Sequence, residues 1–248
     1  MRALPASTER LLRAIDALPA AAGLILAGGT GLALRIAHRL SADLDFVFPA
    51  RRLPRKRVAR LLDELSRSHS VEPFPNLAAE QEFLDSGLEL ADYQQDYSID
   101  RVKVSFFVPD PARLSEEIRA ERGVAGLRRI AVATLRSLFL MKAVALNTRI
   151  TTRDLFDVYT LIESHRCKET ELFKAADRFG HSSDVLKTRL LGAAPRRDDP
   201  GIELPSGAPP TFEQLKAYFA DLVDRIEQAQ AEAYVKKQRS KKKPRRCT

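Results

Sequence analysis

Apolar positions recur at helical spacing at the start of this chain, alternate or cluster as in strands through its first half, and return to helical spacing in its second half. Residues 11–18 predict an amphipathic helix, with Ser7 or Thr8 as its N-cap. The apolar run 23–27 ends in glycine and predicts a buried strand; 30–40 predicts a helix and 44–48 a second strand. Pro54 opens a basic helix, 55–68, with Val58, Leu61, Leu62 and Leu65 on one side. Residues 71–76 read as a loop punctuated by proline. Residues 88–93 and 102–108 have strand composition and are expected to pair antiparallel across a polar link, 94–101.

After Pro109 the period is helical. Residues 114–122 predict a short charged helix, 130–149 a long apolar one and 153–165 another. Shorter helices are expected over 172–179 and 185–191, a loop with four prolines over 195–210, and a long last helix over 212–234. Strands mixed with helices followed by helices alone predict an α+β fold: a domain with a small mixed sheet over 1–125, then a helical domain over 126–235. No internal repeat interrupts this plan.

Charge changes the picture only at the end. The net charge of +8 resides in 236–248, KKQRSKKKPRRCT, which holds eight Lys or Arg and no acid. Such a block is expected to be disordered, and it serves either as a solvated tail or as a contact for polyanions such as nucleic acid. No run of eighteen apolar residues and no signal-peptide pattern is present, so no membrane span and a cytoplasmic location are expected. Two cysteines, Cys167 and Cys247, make no disulfide framework and have no metal-ligand spacing.

The chemistry concentrates in LAGGTGLALRIAHRLSADLDFVF, residues 26–48. Gly28, Gly29 and Thr30 open a helix, whose free N–H groups bind phosphate readily. Asp43 and Asp45 stand two apart at a strand, so both project to one face with ~6.6 Å of rise between them. A carboxylate pair beside a phosphate cradle suits Mg²⁺-dependent phosphoryl or nucleotidyl transfer. A dinucleotide-binding turn would need a small residue where Leu34 stands, and a P-loop would need Gly-Lys-Ser/Thr. The plainer alternative is a helix-opening turn with two surface aspartates.

Farther on, Lys142 lies within the apolar LFLMKAVAL. Lys142, Arg149, Arg153 and Asp157 follow at intervals of 7, 4 and 4, one narrow stripe if the helix is continuous. Thr151-Thr152 could break it, with Thr152 capping the next helix. The stripe reads either as a salt-bridged helix face with a snorkelling lysine or as a triphosphate clamp.

These motifs together resemble a family. GG-x13-DxD is similar to the polymerase-β-type nucleotidyltransferases, and the fuller string GGTGLALRIAHRLSADLDFVF resembles their AbiEii/AbiGii toxin branch. KAVALNTRITTRDLFDVYTL, residues 142–161, resembles the branch's downstream motif, with Val158 where leucine is usual. The resemblance implies a nucleotidyltransferase domain followed by a helical one. It implies that Gly28, Gly29 and Thr30, helped by Ser41, hold the phosphates of an NTP, and that Asp43 and Asp45 bind Mg²⁺. Lys142 would neutralise the triphosphate, and Asp157 would either orient Lys142 or act as base. Arg149, Arg153 and Asp154 would brace the helices, with a substrate role open. His38 and Arg39 match the signature, His38 as a structural hydrogen-bonder or a catalytic group.

The implied reaction is transfer of NMP from an NTP to RNA, at the 3′ end of tRNA, with release of pyrophosphate. A separately encoded antitoxin is the implied partner. One departure stands out. The strand RVKVSFFV places Ser105 where the superfamily carries a third carboxylate, and Asp100 lies before the strand. A one-metal site with Asp157 as the substitute acid, a binding module without catalysis, and transfer to a protein hydroxyl are the alternatives this leaves.

Overall fold

The structure, a computed structural model, describes residues 3–164, 166–195, 197, 199 and 201–241, with side chains through 238. The first helix, α1 (Ala6–Ala17), buries Leu11, Leu12 and Ile15. It starts earlier than its apolar spacing suggests, behind Pro5. Neither Ser7 nor Thr8 caps it: Thr8 is buried within the helix and donates to the Ala42 carbonyl at 2.8 Å. Strand β1 (Ile25–Leu26) leads through Ala27 into α2 (Gly28–Ile36), which stops where Ala37 turns left-handed at φ 49°. Strand β2 (Leu44–Val47) follows, then the basic helix α3 (Arg55–Ser66).

The next stretch departs from the pattern-based reading. Val71–Pro73 is a strand, β3, and Leu77–Asp85 a helix, α4, with no buried residue. The stretch 88–93 is not a strand. The residues expected to link two strands are themselves β4 (Gln94–Ile99), paired antiparallel with β5 (Val102–Phe107). From Tyr97 to Ile99 the apolar side chains alternate with a polar one, the mark of a half-buried strand. Counting its polar residues made the segment look like a loop.

Residues 112–117 form a 3₁₀ turn in place of the charged helix, followed by strand β6 (Ala120–Glu121). The expected helix over 130–149 divides. Ala131–Ala133 is strand β7, fully inside the sheet, and Thr134 caps α5 (Leu135–Ala145) by accepting from the Ser137 N–H. Asp16 fixes that division: its carboxylate accepts the N–H groups of Arg128, Arg129 and Ile130 at 2.8–2.9 Å, which holds β7 beside β1. Thr151, one residue before the expected cap, caps α6 (Thr152–Glu163). Helices α7 (Glu169–Arg178), α8 (Ser183–Leu191) and α9 (Phe212–Lys241) complete the described chain. The last helix runs into the basic block, through 236–241; the rest of that block lies outside the described residues.

The seven strands form one mixed sheet in the order β3-β4-β5-β2-β1-β7-β6. Alternation along β2 and β5 decides its two faces. Leu44, Phe46, Val104 and Phe106 point into an apolar core with Leu11 and Ile15 of α1 and Leu61 and Leu65 of α3. Asp45 and Ser105 occupy the intervening positions on the other face. Over that side lies a second core, formed by Leu32 of α2, Leu138 and Phe139 of α5, and residues of α6 to α9. Burial of apolar side chains on both sides therefore leaves polar groups of the central strands at the junction of sheet and helices.

Candidate active site

The site begins where β1 gives way to α2. Gly28 has φ +58°, and a Cβ there would stand 1.9 Å from Asp45 Oδ2. A Cβ on Gly29 would stand 2.4 Å from a terminal nitrogen of Arg39 and 2.8 Å from Ser41 Oγ. Only bare backbone fits this turn, and the first-turn N–H groups of α2 have no partner inside the helix. Thr30 is fully buried, and its hydroxyl donates to the Asp43 carbonyl. That side chain is committed to tying the helix to β2, which leaves the backbone of Thr30 as its contribution to an anion cradle. Ser41 is buried against Gly29.

Asp45 lies on β2 and Asp43 immediately before it. Burial first, then the charge of Asp43, pushes the Asp45 carboxyl above its ordinary range, against the opposing pull of Lys142, Lys103 and Arg149. A buried acid beside a second one suits a divalent cation, which removes the cost of bringing their charges together. Among the described residues no three or more of His, Cys, Asp and Glu converge closely enough to hold a metal. A carboxylate pair is by its chemistry a donor set that Mg²⁺ accepts, its shell completed by phosphate and water.

Lys142 reaches the same place from α5. It lines a cavity of about 240 Å³ together with Gly28, Asp45, Lys103, Ser105 and Arg149. Its Nζ lies 2.7 Å from Asp154 Oδ1 and 2.8 Å from Asp157 Oδ2, both on α6. Burial alone would push the Lys142 ammonium down, but Asp157 and Asp154 outweigh it and hold its pKa above the ordinary lysine value. Lys142 and Asp157 therefore meet across two helices, not along one continuous stripe.

Asp157 is fully buried and saturated. Arg39 donates to both its oxygens at 2.6 and 2.9 Å, and His38 Nε2 lies 2.7 Å from Oδ1. His38 stacks on Phe156, ring centroids 5.7 Å apart. Burial would raise the Asp157 carboxyl, yet Lys142, His38 and Arg39 hold it well below the usual carboxylate range. A carboxylate so encased orients its partners and is poorly placed to accept a proton.

The flanking residues divide. Asp154 accepts from Lys142, from Arg149 at 3.2 Å and from the cap Thr151 at 2.9 Å. Arg149 also faces the cavity, whereas Arg153 turns away and donates to the Gly201 carbonyl. Asp100 lies at the β4–β5 turn, where it accepts from Ser70 N–H at 3.0 Å and sits 2.6 Å from His69 Nδ1, so it takes no part here.

One acid escaped the sequence reading. Ser105 pairs with Asp45 on one side and with Asp96 of β4 on the other. The Asp96 side chain is 6% exposed. Its Oδ2 accepts from Gln94 at 2.8 Å and lies 3.9 Å from Lys103 Nζ, while Oδ1 is buried with no partner among the described residues. The Asp96-Tyr97-Ser98-Ile99 alternation was the available signal.

Comparison with known proteins places the chain in a family. A family model described as the nucleotidyl transferase AbiEii toxin, of type IV toxin–antitoxin systems, matches residues 10–244. An uncharacterised protein of Aquifex aeolicus is 24% identical over 221 residues, which is 88% of this chain and 95% of that protein. Among solved structures, the nucleotidyltransferase toxin MenT4 of Mycobacterium tuberculosis has a TM-score of 0.48 at 15% identity, over 88% of this chain and 84% of that one.

Proposed function

The chain belongs to the AbiEii nucleotidyltransferase toxin family of type IV toxin–antitoxin systems, and we propose that it moves NMP from an NTP to the 3′ end of tRNA in a Mg²⁺-dependent reaction. In this reading the amides of Gly28, Gly29 and Thr30, with Ser41 beside them, bind the triphosphate. Asp43 and Asp45 hold Mg²⁺, which when bound neutralises phosphate oxygens and polarises the acceptor hydroxyl. Lys142 offsets the charge of the departing pyrophosphate. Asp157, with Arg39 and His38, fixes Lys142 in place, and Asp154 shares that work. The acceptor hydroxyl attacks the α-phosphorus as pyrophosphate leaves.

The observation that carries this reading is the meeting of Gly28 and Asp45, from the consecutive α2 and β2, with the distant Lys142 of α5 in one cavity. The basic helix α3 and the basic block at 236–248 favour a polyanionic acceptor. The family implies an antitoxin encoded alongside.

The test is incubation with Mg²⁺, radiolabelled NTPs and total tRNA. Label should pass to RNA with the natural chain and vanish with Asp43→Ala and Lys142→Ala. Nucleotide binding without transfer to RNA or protein would make the protein a binding module, the outcome Ser105 favours. Label on protein would make the acceptor a protein hydroxyl.

A further inference from the structure

On the transfer reaction just described rests one more assignment: we propose that Asp96 is the acceptor-side catalytic carboxylate, whose Oδ1 takes the proton of the attacking hydroxyl. The register supplies the first observation. Asp45, Ser105 and Asp96 are cross-strand partners on β2, β5 and β4, so they form one row on one face of the sheet. At about 4.8 Å per strand, the backbones of the two acids lie about 10 Å apart. Ser105 lies between them and lines the first cavity with Asp45.

Direction is the second observation. β1 and the Gly28–Gly29 turn lie on one side of β2, and β5 and β4 lie on the other. With the pyrophosphate held at the Gly28 and Gly29 amides, an in-line attack must come from the opposite side of the α-phosphorus. That side is the Ser105–Asp96 side.

The third observation is the state of Asp96 itself. Its side chain is more than nine-tenths buried, yet Oδ1 has no donor among the described residues. A buried carboxylate oxygen without a donor is costly to keep, and such groups call for an explanation. A donor that arrives with substrate supplies one.

The surroundings suit the end of a nucleic acid. Asp96 lines a second cavity, of about 390 Å³, and Gln94 lines both this cavity and the first. Phe74 at its wall is 48% exposed and offers an aromatic surface for a base to stack on. Lys103 Nζ lies 5.3 Å from the centre of that ring and 3.9 Å from the Asp96 carboxylate, a cation placed to meet the acceptor's phosphate.

The step balances. The hydroxyl oxygen forms a bond to the α-phosphorus, the bond from that phosphorus to the bridging oxygen breaks, and pyrophosphate departs with the electron pair. The proton passes to Asp96 Oδ1 and afterwards to solvent.

The experiment compares the natural chain with Asp96→Asn and Asp45→Asn, using labelled NTP and total tRNA. NTP affinity is read separately by calorimetry, and the fold by thermal melting. Asp96→Asn should lower the transfer rate by about 10² or more, with the NTP Kd unchanged within about twofold. Should Asp96→Asn fail to fold, Asp96→Ser takes its place. An Asp96→Asn rate equal to the natural chain's, with Asp45→Asn inactive, overturns the role of Asp96 and leaves the transfer reading standing. Label appearing on protein overturns the RNA acceptor, and the same three chains then decide Asp96 with that acceptor. No label on any macromolecule overturns both.

Discussion

Gly28 and Asp45 stand so close that the smallest side chain at position 28 would reach to 1.9 Å of the Asp45 carboxylate. The glycine also has φ +58°, which costs an L-residue about 1–2 kcal/mol. The closeness joins the two halves of the proposed site: the turn that would cradle phosphate is packed against the acid that would hold the cation. Gly28→Ala is therefore expected to destabilise the fold by at least that amount and to lower transfer about a hundredfold, because the displaced Asp45 no longer meets its substrate in register. Urea unfolding and the labelling assay read the two effects. A variant as stable and as active as the natural chain would mean that the turn has slack that the distances do not show.

Asp157 is the centre of the buried ion network, bound by Lys142, Arg39 and His38. Its removal leaves the buried Arg39 guanidinium without a carboxylate and Lys142 with Asp154 alone, and Asp157→Ala should cost about 3–5 kcal/mol. The dependence on pH has a definite sign. The folded Asp157 pKa lies well below its unfolded value, so its contribution is complete above the usual carboxylate range and declines as pH falls below it. Asp154 shifts in the same direction. Unfolding measured between neutral pH and pH 3 should show stability falling steeply below about pH 4 in the natural chain and less steeply in Asp157→Asn. Equal slopes would place the acid-labile charge elsewhere.

Asp45 has the opposite sign. Its folded pKa is raised by burial and by Asp43, so the ionised form is a cost to the fold, incurred as pH rises through that value. In EDTA at neutral pH, Asp45→Asn should melt at a higher temperature than the natural chain. Mg²⁺ with NTP should raise the melting temperature of the natural chain and leave that of Asp45→Asn nearly unchanged. Scanning fluorimetry with and without Mg²⁺ and NTP checks both. A natural chain indifferent to them would remove the cation from the site.

Much of this was legible in one dimension because the information is local. A glycine turn at a helix start and two acids two apart at the head of a strand are short-range patterns, and so is a lysine among apolar neighbours. The helices α3, α6, α7 and α8 announced themselves by apolar period, within a few residues of their ends. β7 did not. Three residues, Ala131–Ala133, cannot be told by period from the apolar helix they precede, and only the pairing with β1 and the grip of Asp16 make them a strand. The polar β4 was hidden for the converse reason, since four of its six residues line a cavity.

The chain's own pattern thus determined the kind of chemistry and the elements that bear it. The tertiary structure alone decided which charges meet. Lys142 and Asp157 are fifteen positions apart, and spacing offered a helical stripe; the break at Thr151 instead turns α6 back on α5 and faces the two side chains across a gap of 2.8 Å. Asp96 entered the row of Asp45 only through the register of three strands. Register depends on how side chains far apart in the chain bury one another, and no local window contains that energy.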